Sequence, residues 1–201
     1  LLWHDASEHR WQPVGDNFDA LIWLGTLLAL FVLYVQRHKS LGALDWFVMP
    51  IVLLMLIFAA VLGRTEYRPY QAMIHNTWSW VHRVMAYGGA VAFAIAAASG
   101  AMYLITSRKL RSKSAVGPQF GSLERLEQLT MTSVTLGFAL LTVAMVTGGV
   151  QMFAEGKHTP IAKVILAVAV WRVYAIVLHA PINPSFRGLK VEMLSVVGFV
   201  F

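Results

Sequence analysis

His82 and His179 each lie in an apolar stretch long enough to cross a bilayer. A neutral imidazole is the commonest metal ligand in proteins, and ionisable side chains inside a membrane are costly enough to mark function. The chemistry open to this pair is therefore metal ligation, and haem iron is the metal that membrane histidines usually hold. The chain has no cysteine, so zinc-thiolate, iron–sulfur and disulfide chemistry drop out. Arg172 is a third polar residue out of place, near the middle of the stretch that ends at His179. Positions 172, 176 and 179 follow helical spacing, so Arg172 and His179 share one face, which is expected to point into the bundle. There Arg172 would meet a haem propionate, a carboxylate such as Asp19, or the carbonyls of a broken helix.

The elements that must position these residues are membrane helices. Of the 201 residues 58% are hydrophobic and only 13% charged, with a mean hydropathy of +0.63. A soluble domain of this length would have to expose more charge. A span needs about 20 apolar residues at ~1.5 Å rise each. The stretches 18–36, 46–63, 78–106, 129–153 and 161–179 meet or approach that length, and a sixth at 191–201 is incomplete. The expectation is an all-α, polytopic membrane helical bundle of about six transmembrane helices, with residues 1–201 as a single membrane domain. The chain opens without Met and ends inside an apolar run at Phe201, as a portion of a longer protein would. Residues 1–17 show no signal-peptide pattern.

Charge sets the expected orientation. The loops 37–45, 107–128 and 181–190 carry Arg37, Lys39, Arg108, Lys109, Arg111, Lys113, Arg125, Arg187 and Lys190, whereas the opposite set carries only Arg10, Arg64, Arg68 and Lys157. The first set is expected in the cytoplasm, in a bacterial inner membrane. The net charge of +6 is explained by this topology, so nucleic acid is not an expected partner and membrane lipid is. Trp3, Trp11, Trp78 and Trp80 fall at the outer edge, where amphipathic rings settle. Ser122, followed by Glu124, is placed to cap a helix that runs into the fourth span. Gly88, Gly89, Ala90, Ala94, Ala96, Ala97, Ala98 and Gly100 make the third span a close-packing one.

His82 then lies about one turn inside the outer end of the third span, and His179 at the cytoplasmic edge of the fifth. About 30 Å of hydrocarbon separates these depths, so the two cannot share one iron. At His82 the candidate companions are Trp78 and Trp80 for aromatic contact and Arg83 for propionates, and the competing reading is an interfacial histidine bonded to a loop. His4, His9, His75 and His158 share the outer side as candidate second ligands. For His179 the nearest second histidine is His38.

The order of motifs resembles the CcsA/CcmC superfamily of cytochrome c assembly proteins, closest to its HemX-like and YpjD-like branch. The resemblance runs from about Phe18 onward, through Gln36-Arg37, Ser40-Leu41-Gly42, Met49-Pro50 and Trp80-x-His82. More specific are Ser122-Leu123-Glu124-Arg125-Leu126-Glu127, Leu136-Gly137-Phe138, Gly148-Gly149, Trp171-x-x-Tyr174 with His179, Phe186-Arg187-Gly188 and Gly198-Phe199. It implies a bundle that binds haem and presents it at the outer surface for attachment to apocytochrome c. By resemblance, His82 matches an outward haem-ligating histidine and His179 a separate site within the membrane, while the family's second outward histidine would follow Phe201. Haem-delivering members carry Trp-x-Trp-Asp before the fifth span. Here that stretch is Glu155 to Lys163, with neither tryptophan nor aspartate. The YpjD-like branch also lacks the motif, and keeps a lysine at the position of Lys163.

The leading expectation is a haem-handling membrane protein of cytochrome c biogenesis that is not an enzyme on its own and works with other assembly components. The alternative is a haem-free structural or accessory subunit among other membrane subunits. An electron-transfer cytochrome with its haem wholly inside the membrane is a third reading, weakened by the position of His38.

Overall fold

The computed structural model describes residues 17–37, 44–62, 77–112, 122–154, 161–179 and 189–200. These form six helices and, among the described residues, no strand: α1 (Asn17–Arg37), α2 (Asp45–Leu62), α3 (Thr77–Arg111), α4 (Leu123–Ala154), α5 (Ile161–His179) and α6 (Leu189–Val200). Three are long and apolar enough to cross a membrane, at 78–111, 123–153 and 161–179, and 20–34 and 45–61 are shorter apolar segments. The chain is an integral membrane protein.

The helices start where local chemistry directs. Ser122 Oγ accepts the Arg125 N–H at 3.3 Å, and the Ser122 carbonyl accepts from Leu126. The expected cap therefore opens α4, ahead of the apolar run. At the start of α2, Asp45 Oδ1 accepts the Trp46 N–H at 2.9 Å. Its other oxygen accepts from Gln36 Nε2 at 3.1 Å, which clips the end of α1 to the start of α2.

The largest contact is α3 on α4, antiparallel. Small residues make it close, as the third span's composition implies. A Cβ at Gly89 would come within 3.4 Å of the Gly137 carbonyl, and one at Gly137 would strike the Phe93 ring at 2.8 Å. Without a side chain on Gly137, the Phe93 ring can lie against the α4 backbone. Residues 92–100 are buried without a break, so α3 is covered on every side here, by α1, α2, α4 and α6. One buried cluster joins Leu28 and Val32 of α1, Val48 and Val52 of α2, Ile95 and Met102 of α3, and Leu126 of α4. A second gathers Phe93, Ala96, Val134, Tyr174, Val177 and Val191.

The Arg172 face departs from expectation. Arg172, Ile176 and His179 are all exposed, and the inward residues of α5 are Tyr174 and Val177. Tyr174 stacks on Phe93 with centroids 3.7 Å apart and planes 9° from parallel. Arg172 is two residues away, about 200° around the helix. Burying the aromatic therefore turns the arginine outward. The large apolar surface sets the rotation of α5, and the cation takes the opposite side.

Candidate functional site

His82 projects from the first turns of α3 against α4. Its Nδ1 lies 2.7 Å from the Ala144 carbonyl oxygen. A carbonyl can only accept, so Nδ1 carries the hydrogen, and in the neutral ring Nε2 keeps its lone pair. Donation of the second ring N–H to a backbone carbonyl is the usual way a metal-binding histidine is oriented. Thr147 stands beside it, with its hydroxyl 3.5 Å from Nδ1 and donating to the carbonyls of Val143 and Ala144.

The Gly148-Gly149 pair has two separate roles. A Cβ on Gly148 would fall 2.8 Å from His82 Cε1 and 3.1 Å from Nδ1, whereas a Cβ on Gly149 would meet nothing within 4 Å. Gly148 lets the imidazole lie against the α4 backbone, and Gly149 leaves open space beside it. That space is a cavity of about 390 Å³, whose lining includes His82, Leu141, Met145, Gly149, Met152 and Lys163. Its walls are apolar, with the amide of Gln151 and the ammonium-bearing side chain of Lys163 as further polar elements. Gln151 Nε2 also donates to the Trp78 carbonyl at 3.0 Å, tying the ends of α3 and α4 together. The cavity's size, apolar walls and few polar groups fall within the range of small-molecule sites.

The residues singled out from sequence are distributed unevenly around this cavity. His82 and Lys163 are brought together. Trp78 and Trp80 are exposed, at 50% and 41%, and neither they nor the half-buried Arg83 belong to the lining. His179 is separate: its Nδ1 bonds the Ala175 carbonyl of its own helix at 2.8 Å. It lies 16 residues beyond Lys163 along α5, about 24 Å. His158, His4, His9, His75 and His38, and the side chain of Asp19, lie outside the described residues. Among the described residues no three histidine, aspartate or glutamate side chains gather to hold a metal ion. Sequence reasoning missed Ala144, Met145, Gln151 and Met152. A carbonyl acceptor leaves no trace in residue type, but Gln151, a lone amide in an apolar run, is a signal that was there to read.

Fold and site together define an integral membrane helical protein with a histidine-lined cavity between α3, α4 and α5. The chain belongs to the cytochrome c assembly protein family, whose model matches residues 11–201. It is similar to the cytochrome c biogenesis protein CcsA of Guillardia theta, 23% identical over 215 residues, covering 96% of this chain and 71% of that one. It is also similar to the inner membrane protein YpjD of Escherichia coli (strain K12), 25% identical over 202 residues, covering 97% and 76%. The CcsA of Prochlorococcus marinus (strain MIT 9312) is 24% identical over 228 residues, covering 95% and 72%. No solved structure matches the chain.

Proposed function

We propose that this chain serves cytochrome c biogenesis by binding haem in the cavity beside His82 and presenting it at the outer face of the membrane. Family membership supports the role in biogenesis. The observation that carries the haem reading is the His82–Ala144 bond, which leaves Nε2 as a free ligand next to an apolar space. His82 would hold the iron, Leu141, Met145 and Met152 would cover the porphyrin, and Lys163 would meet a propionate. Haem held there supplies the vinyl groups that the cysteines of an apocytochrome attack. The chain itself positions and shields, and makes or breaks no bond. The basic loops 37–45, 107–128 and 181–190 support a cytoplasmic location for the opposite end, in a bacterial inner membrane. Partners on this reading are membrane lipid and further assembly components.

One observation favours the haem-free accessory reading: Trp78 and Trp80, the expected aromatic contacts, stay outside the cavity lining. Absorbance of the purified protein titrated with haem separates the two. A Soret band that saturates in the unaltered protein and is lost in His82→Ala is expected. A band that His82→Ala leaves at full height overturns the assignment of His82, and no band at saturating haem leaves the accessory reading in its place.

A further inference from the structure

At the other end of the α3–α4 pair, Glu192 of α6 is fully buried. Neither carboxyl oxygen has a hydrogen-bond partner among the described residues. Space for the carboxyl is made by Gly100 of α3, where a Cβ would stand 2.9 Å from Glu192 Oε2 and 3.2 Å from the Glu192 carbonyl oxygen. A side chain at position 100 would press on the acid and on the α6 backbone, and one of them would have to shift. One hydroxyl lies toward the acid. The Thr130 hydroxyl of α4 comes near enough to the carboxyl to act on it, yet it completes no hydrogen bond there, because it is shared with Ser99 at 2.9 Å and donates to the Leu126 carbonyl at 3.0 Å.

The charged and titratable groups around this pocket come from four helices. Glu127 of α4 and Tyr103 of α3 are within electrostatic reach, and Arg111 of α3 acts on Tyr103. Tyr174 of α5 is committed elsewhere, donating to the Ser195 carbonyl at 3.2 Å. Lys190, on α6 itself, is exposed. Among the described residues, the groups that act on the acid include no cation. An ionised carboxylate cannot be left bare in an apolar interior, and such a group takes up a proton instead.

We propose that Glu192 is an internal proton-binding site, held between α3, α4 and α6 in the cradle that Gly100 leaves. The bound species is the proton, and the Thr130 hydroxyl, itself bonded to Ser99, is the polar group beside the neutral acid. The site is independent of His82 and of haem.

Infrared difference spectra of the full chain in lipid nanodiscs, labelled with ¹³C-glutamate and stepped from about pH 5 to about pH 10, test this. A protonated-carboxyl C=O band that carries the isotope shift is expected, fading about tenfold per pH unit on the alkaline side of its titration. It should be missing in Glu192→Gln and displaced along the pH axis in Gly100→Ala. No titrating glutamic acid band in the unaltered protein overturns the proposal, as does a Glu192→Gln spectrum that superimposes on it. Replacing choline chloride by sodium chloride at fixed pH is expected to leave the band unchanged. Loss of the band in sodium would make the site one for a cation and overturn the proton assignment.

Discussion

The imidazole of His82 and the carbonyl of Ala144, 62 positions apart in the chain, meet at 2.7 Å. The bond pins a side chain of α3 to the backbone of α4, and it fixes which ring nitrogen remains to bind a ligand. Because the acceptor is main chain, it is not lost by exchanging the side chain of residue 144. The sensitive position is one turn away, at Gly148.

Gly148→Ala places a methyl group 2.8 Å from His82 Cε1, so the ring must rotate off its carbonyl. Haem affinity should fall about ten- to a hundredfold, the usual loss when a ligand's orienting partner is removed. Gly149→Ala, whose Cβ meets nothing within 4 Å, should keep the His82 geometry. Haem titration of the two variants side by side checks this contrast.

Lys163 lies in the cavity lining with His82. Lys163→Glu should weaken haem binding, while Lys163→Met should weaken it less and make it less sensitive to salt, because only charge pairing is screened. Equal affinities for all three at low ionic strength would remove Lys163 from the site.

Arg172 and His179 are exposed on α5, away from the cavity. Arg172→Ala and His179→Ala should leave the haem titration of the His82 site unchanged. A spectrum altered by His179→Ala alone would reveal a second site on that face.

Tyr174 couples α3, α5 and α6 through its stack on Phe93 and its bond to the Ser195 carbonyl. Tyr174→Ala should destabilise the bundle by about 3–5 kcal/mol, the range for emptying an aromatic site in a core. Tyr174→Phe keeps the stack and loses one hydrogen bond, which in membrane bundles averages about 0.6 kcal/mol. Unfolding midpoints in mixed micelles would rank the two.

Much of this architecture could be read in advance from particular residues. Ser122 signalled the start of α4 through its side-chain oxygen, and the glycines and alanines of α3 signalled close packing. His82 stood out because an imidazole in an apolar run has few reasons to be there. The rotation of α5 could not be read in the same way. Arg172 in mid-span suggested an inward face, yet the rotation follows from Tyr174 meeting Phe93, a contact between residues 81 positions apart that no local spacing encodes. The role of Gly148 was likewise hidden, since a glycine discloses what it makes room for only when the neighbour is in view. Glu192 was legible and overlooked: a lone acid inside Val191 to Phe199 is the same kind of signal as His82.

The α5 wall of the cavity is thin. Residues 161–166 are exposed one after another, while Lys163, Val164 and Ala167 line the space beside His82, and α5 packs chiefly on α4 and α6. A small parting of α4 from α5 would open the site sideways into the bilayer. An amphiphilic guest taking that route would approach in the plane of the membrane, and its supply would be set by how it partitions into lipid, before its concentration in water matters.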